Sequence, residues 1–308
     1  MQKWFPMTLV LFAAFFWGTT FVLVKETISL IPVNFFLFIR FGFATLLTLP
    51  LVIKRNKWRN RSLWQHGTLL GLLLFASYYF QTIGLLFTTP ANAAFITGLN
   101  IIFIPLLGAI LFKFNIRPME RVAVVVSFTG TVLLTLNFDN FTLNIGDMII
   151  ILTAISIAFH VLFTEKYRDH DFIEFLWIQF LVMTICAGLL AVFSAKPTIA
   201  WYSSKIVLFT LVVTVIFSTI YAFGAQLYAQ QLEISSSIIG VLFSMEPVFA
   251  LIIDISLGII PTFTAMIGMG CIFVSILMAT LVSTQDRSMD EPSESTSLVS
   301  PDLDRTIK

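Results

Sequence analysis

Apolar residues run along this chain in unbroken blocks of about 20, separated by short stretches of polar and charged residues. No block alternates with period two, and each is long enough to cross the hydrocarbon core of a bilayer. A chain in lipid must satisfy its own backbone, so blocks of this kind are helices rather than open strands. The pattern predicts ten spans, over 5–27, 33–53, 67–87, 91–112, 119–137, 147–165, 172–194, 205–229, 235–257 and 261–283. Connections are short, the longest being 54–66 and 195–204. The segment 285–308 is rich in Ser, Asp and Glu, has no apolar period, and is expected to be a disordered tail.

The second five blocks repeat phrases of the first. Phe36-Leu37-Phe38-Ile39-Arg40-Phe41 is echoed by Phe175-Leu176-Trp177-Ile178-Gln179-Phe180, about 139 positions later. Ala14 and Gly18 correspond to Ala154 and Ala158, Gln81 to Gln226 and Pro105 to Pro247, at offsets of about 139 to 145. A segment repeated after an odd number of crossings enters the bilayer from the opposite side. The expected fold is therefore all-α integral membrane, with ten transmembrane helices as two inverted five-helix repeats, 1–143 and 144–284. Many secondary transporters use this architecture to expose a midplane site to each side in turn. A proline inside a span frees the carbonyl four residues earlier, here Ile101 and Phe243, and such breaks face either a cavity or a packing kink.

Composition agrees with the pattern: 58% of residues are hydrophobic, 11% are charged, and the mean hydropathy is +0.94. Basic residues set the orientation. With the amino terminus inside, the inner side collects Lys3, the cluster 54–61, Lys113, Arg117, Arg121, Lys166, Arg168 and Arg287, while the outer side has Lys25, Lys196 and Lys205. That asymmetry places both termini in the cytoplasm, and the expected location is the cell inner (plasma) membrane. Lys3 precedes an apolar run too long for a signal-peptide core and followed by no cleavage site, so it reads as a retained span. A net charge of +1 gives no reason to expect a nucleic-acid partner, and three His and two Cys are too few for the usual metal clusters. No cofactor is expected. The expected partners are the lipid bilayer and a small-molecule substrate, with the protein acting as a monomer or homodimer.

Several phrases resemble EamA-type permeases of the drug/metabolite transporter superfamily. They are Trp17-Gly18-Thr19-Thr20-Phe21 with Lys25, Arg40-Phe41-Gly42-Phe43-Ala44, Ala91-Asn92-Ala93-Ala94-Phe95-Ile96-Thr97-Gly98-Leu99 with Pro105-Leu106-Leu107, and Met245-Glu246-Pro247-Val248-Phe249-Ala250. The resemblance covers about residues 8–283. One departure stands out: Leu257-Gly258-Ile259 occupies the place of the family's Leu-Gly-Glu. The resemblance implies ten helices, the first four of each half around a central pathway, and movement of small organic solutes.

Ionisable groups inside spans are costly and mark function by default. Glu246, midway along the ninth span beside Pro247, either takes up a proton during a cycle or holds the helix break together. Arg40 either grips a substrate carboxylate or makes a structural bond near the interface; its repeat counterpart is Gln179, so the charge belongs to one half alone. His160 is a proton relay or a packed, hydrogen-bonded histidine. Trp17, Tyr79, Gln81, Asn92, Asn100, Gln179 and Gln226 are candidates for a pocket that binds by hydrogen bonding and stacking. Together these residues point to a secondary transporter for a small organic metabolite, such as an amino acid or carboxylate, coupled to protons or to exchange. An intramembrane enzyme on lipid-linked substrates and a channel are the competing readings. The first lacks a concentrated set of acids, bases or metal ligands, and the second lacks a recurring polar ring.

Overall fold

The computed structural model describes residues 4–55, 60–135, 144–194, 201–256, 258 and 260–290. It is helical throughout, with no strand among the described residues. The first half contains α1 (Trp4–Leu30), α2 (Val33–Ile53), α3 (Arg61–Phe87), α4 (Pro90–Gly98), α5 (Asn100–Leu111) and α6 (Pro118–Thr135). The second contains α7 (Ile145–Lys166), α8 (Phe172–Val192), a 3₁₀ turn Trp201–Ser203, α9 (Lys205–Val212), a π-helical stretch Val213–Tyr221, α10 (Ala222–Gln231), α11 (Ser236–Phe243), α12 (Met245–Ser256) and α13 (Phe263–Asp290). Among the described residues, nine helical segments are long and apolar enough to cross a membrane. They coincide with nine of the ten expected spans. The remaining one, 119–137, is α6, which opens with Glu120 and Arg121 and is not among the nine. Large apolar side chains such as Leu46, Ile110, Leu189 and Phe193 are exposed, as on a surface solvated by lipid tails.

Two helix boundaries differ from expectation by more than one helical turn. Helix α3 starts at Arg61 rather than 67, because Asn60 caps it by accepting from the Ser62 and Leu63 amides at 3.0 and 3.2 Å. Helix α13 continues to Asp290, past the expected end at 283, and the tail from 291 lies outside the described residues. The fourth and ninth expected spans each kink. The steps fall at Leu99 and Ser244, where ψ is −14° and −8° and the chain takes one tighter turn. Both steps precede the proline, so the distortion sits closer to the helix start than the Ile101 carbonyl in the first case, and one residue after Phe243 in the second.

Hydrogen bonds fix which helix ends lie together. One end of the bundle gathers the end of α2, the starts of α3, α8 and α11, and the ends of α7 and α10. There Arg55 pairs with Asp171 at 3.0 Å, Gln231 donates to the Arg168 and His170 carbonyls at 2.9 Å, and the Ser236 amide donates to Glu165 at 2.7 Å. Lys54, Arg55, Arg61, Lys113, Lys166 and Arg168 cluster at this basic end. At the opposite end, Lys25 donates to the Leu85, Leu86 and Thr88 carbonyls, and Thr88 donates to Asp147. Two helix pairs bring residues into contact with residues about 139 positions later in the chain. Thr45 of α2 and Thr184 of α8 share a hydrogen bond of 2.9 Å. Gly130 of α6 and Gly268 of α13 face each other so closely that a Cβ on either would strike the other's carbonyl oxygen.

Candidate functional site

A cleft lined by α1, α2, α3, α4, α7 and α12 runs from Val24 and Leu85, beside Lys25 at the opposite end, to Arg40, Tyr78 and Glu246. Its atom-free space, counted with the open solvent at its mouth, is about 540 Å³, but it is narrow, with room for a few water molecules in this conformation. Helix periodicity explains its lining. Ser77, Tyr78, Gln81, Thr82 and Leu85 share one face of α3, and Trp17, Thr20, Phe21 and Val24 share one face of α1.

The floor is organised around one carbonyl. The π-helical stretch turns the Ser218 carbonyl toward three donors: Trp17 Nε1 at 2.9 Å, Arg40 Nη2 at 3.4 Å and the Tyr78 hydroxyl at 3.4 Å. Arg40 Nε also donates to Thr219 Oγ1 at 2.9 Å. The guanidinium carbon lies 4.5 Å from the Tyr78 ring centroid, a cation–π contact worth about 0.5–2 kcal/mol. π-Helical turns recur at functional sites because they release backbone groups from the regular ladder. Glu246 faces the same cleft, 5% exposed, and no hydrogen bond or ion pair reaches its carboxylate among the described residues. The carbonyl of Glu246 lies against Gly18, where a side chain would not fit.

Of the residues singled out in the sequence, Trp17, Arg40, Gln81 and Glu246 meet in this cleft. Gln81 donates weakly to Thr97 at 3.4 Å. His160, Gln179 and Gln226 do not join them. They form a separate buried cluster toward the basic end, in which His160 Nε2 meets Gln179 Oε1 at 3.0 Å and Gln226 Nε2 lies 3.5 Å from His160 Nδ1. Gln179 donates its own amide to the Phe175 carbonyl, which makes its Oε1 the acceptor of the His160 proton. Asn100 is buried at the start of α5, and neither side-chain atom has a hydrogen-bond partner among the described residues. Asn92 is half-buried at the start of α4, where its backbone amide donates to the capping Thr89 hydroxyl. Tyr79 points away from the cleft and packs on Phe75 and Phe80, with ring centroids 5.7 and 6.0 Å away. Its neighbour Tyr78 takes the place expected for it. The signal was present in the sequence: Tyr78 lies three residues before Gln81 and on its face, whereas Tyr79 is turned about 100° away. The Ser218 carbonyl had no such signal, since any residue carries one.

Known proteins place the chain. The model of the EamA-like transporter family matches residues 4–136 and 144–281. A protein of Archaeoglobus fulgidus named as an uncharacterized transporter is 27% identical over 239 residues, covering 77% of this chain and 73% of its own. The Bacillus subtilis uncharacterized transporter YyaM is 22% identical over 277 residues, covering 86% and 90%. One solved crystal structure superposes with a TM-score of 0.72 at 18% identity, over 91% of this chain and 98% of its own, a likeness of fold. With nine helical segments among the described residues long and apolar enough to cross a membrane, and a family match spread over nearly all its length, the chain is a multi-pass membrane protein that belongs to the EamA-like transporter family.

Proposed function

We propose that this protein is a secondary carrier that moves a small zwitterionic metabolite, an amino acid or a close relative, by alternating access. The observation that carries this reading is that Arg40 and Glu246 line one narrow cleft without bonding to each other. Leaving one partner of a buried charge pair unmatched costs several kcal/mol. A solute with a carboxylate for Arg40 and an ammonium for Glu246 offsets that cost at both ends, while a singly charged solute leaves one group unmatched. The Trp17 and Tyr78 rings between them suit an apolar or flat side group.

The proposed scaffold is ten crossing helices in two inverted repeats, 1–143 and 144–284, followed by a cytoplasmic tail, 285–308. The Thr45–Thr184 and Gly130–Gly268 contacts support it, because residues on a two-fold axis touch their own counterparts. The Lys and Arg of the basic end support a cytoplasmic location for that end and for both termini, in the plasma membrane. The working unit is proposed as a monomer or homodimer, energised by a proton or by exchange.

Uptake of labelled amino acids into proteoliposomes tests this. Saturable uptake, competed by zwitterions and weakly by monocarboxylates or monoamines, is expected. Arg40→Gln and Glu246→Gln each raise KM for the zwitterion by about tenfold or more, the cost of one charge-assisted bond. Non-saturating conductance would favour a channel, and competition by singly charged analogues as strong as by zwitterions would remove the substrate assignment.

A further inference from the structure

The cleft-lining residues of the first half have counterparts in the second at the offset of about 139 to 145 that relates the two copies. Thr20, Arg40, Tyr78, Gln81 and Leu85 line the cleft. Their counterparts are His160, Gln179, Phe223, Gln226 and Gln230. These five are scattered over three helices, yet they form one contiguous buried group. His160 bonds to Gln179 and reaches Gln226, Gln226 donates to Gln230 at 3.1 Å, and the Phe223 ring lies 5.8 Å from His160. We infer that this group is a second solute station, the lining of a cleft that opens at the basic end when the outer cleft closes. The inference rests on the alternating-access reading above.

Two further observations carry it. The Gln226 side-chain oxygen is fully buried and has no hydrogen-bond partner among the described residues. A buried acceptor left empty costs about 1–3 kcal/mol, so this oxygen is aimed at a group that arrives from elsewhere. A route outward also exists: Gln230 donates to Ser236 Oγ at 3.3 Å, and Ser236 lines a cavity at the basic end together with Glu165, with about 450 Å³ of atom-free space. Between the two stations stands the Phe223 ring, 5.5 Å from Trp17, 5.9 Å from Tyr78 and 5.8 Å from His160. It is the partition that separates cleft from cluster in this conformation.

The two stations differ in chemistry. The cleft offers a guanidinium, while the cluster offers amides and an imidazole because Gln179 stands where Arg40 does. Neutral hydrogen bonds are about half as strong as charge-assisted ones. The second station therefore holds the solute's polar group more weakly and favours its release.

Cysteine accessibility tests the inference without a known substrate. In a background with Cys186→Ala and Cys271→Ala, single variants Gln81→Cys, Gln226→Cys and Gln230→Cys are reacted with a membrane-impermeant maleimide in right-side-out and inside-out vesicles. Gln81→Cys is expected to label from the opposite end. Gln226→Cys and Gln230→Cys are expected to label from the basic end, more slowly by the population of the minor state, about 10- to 1,000-fold. A bulky adduct at Gln81→Cys, which holds the cleft open, should then abolish labelling at a second cysteine replacing Gln226. Labelling of both cluster positions from the opposite end alone, or from neither side in protein that runs as a folded single peak, overturns the second station. Amino-acid uptake is measured in the same vesicles. Labelling from the basic end without such uptake supports the station and removes only the substrate assignment.

Discussion

Gly18 of α1 lies directly against the backbone of α12, and replacing it with alanine gives a prediction with a definite size. A Cβ at this position overlaps the Glu246 carbonyl oxygen and sits 3.1 and 3.3 Å from the Glu246 carbonyl carbon and Cα. All three are backbone atoms, so no side-chain rotation relieves the clash. The helices must separate by about 1 Å, and a gap of that size forfeits a quarter to a half of each dispersion contact along the seam. Overpacking of this kind costs about 1–3 kcal/mol. For a protein of this size that lowers Tm by about 2–5 °C. The displaced first turn of α12 carries Glu246, so solute affinity falls as well. Gly270→Ala is the matched control, because nothing lies within 4 Å of its Cβ position. Thermal unfolding of purified protein, followed by tryptophan fluorescence, reads both variants. A Gly18→Ala protein with the Tm of the parent would refute the close approach and the reasoning built on it.

Four further outcomes follow from named contacts. Arg40→Lys keeps the charge but loses the bonds to Thr219 and Ser218 from a planar fork, so uptake should fall several-fold with KM affected most; unchanged kinetics would show that charge alone suffices. Trp17→Phe removes one donor from the Ser218 carbonyl while retaining a ring, and should cost about 0.5–1.5 kcal/mol in unfolding measurements. Lys25→Met uncaps three carbonyls at the end of α3 and should lower Tm by a few degrees with KM intact; a changed KM would place Lys25 in the solute path. Burial pushes the His170 imidazole below its ordinary value, with His66 at 2.8 Å adding to the effect and Asp169 opposing it. Lys166, over the Tyr167 ring that stacks on His66, is the nearby cation. The unfolded chain then binds more protons than the folded one below the unfolded value of about 6.5, so this contribution to stability is present above that pH and lost as pH falls through it. Tm should drop between about pH 7.5 and 5.5 in the parent and drop less in His170→Gln; equal slopes would exclude the pair as the cause.

The helices were legible because burial in lipid acts on each residue by its own polarity. A run of about 20 apolar residues is enough to specify a crossing, and nine of the expected runs coincide with such helices. The concentration of Lys and Arg at one end was equally readable, since it is a property of order along the chain. The site was legible in part. Trp17, Arg40, Gln81 and Glu246 are costly or unusual inside a span wherever they sit, so polarity alone singled them out. What tertiary structure decided was which of the polar residues share a space. Choosing Tyr78 over Tyr79 depends on which face of α3 turns inward. In lipid no water drives that choice; close packing against neighbouring helices makes it. The gathering of three donors on the Ser218 carbonyl depends on a π-helical stretch whose residues look like any apolar run. The division of the expected pocket into a cleft and a separate cluster depends on one ring, Phe223, standing between them. Sequence determined which runs had to be buried in lipid. Packing across helices decided which buried groups face each other, because that is a relation between positions far apart in the chain.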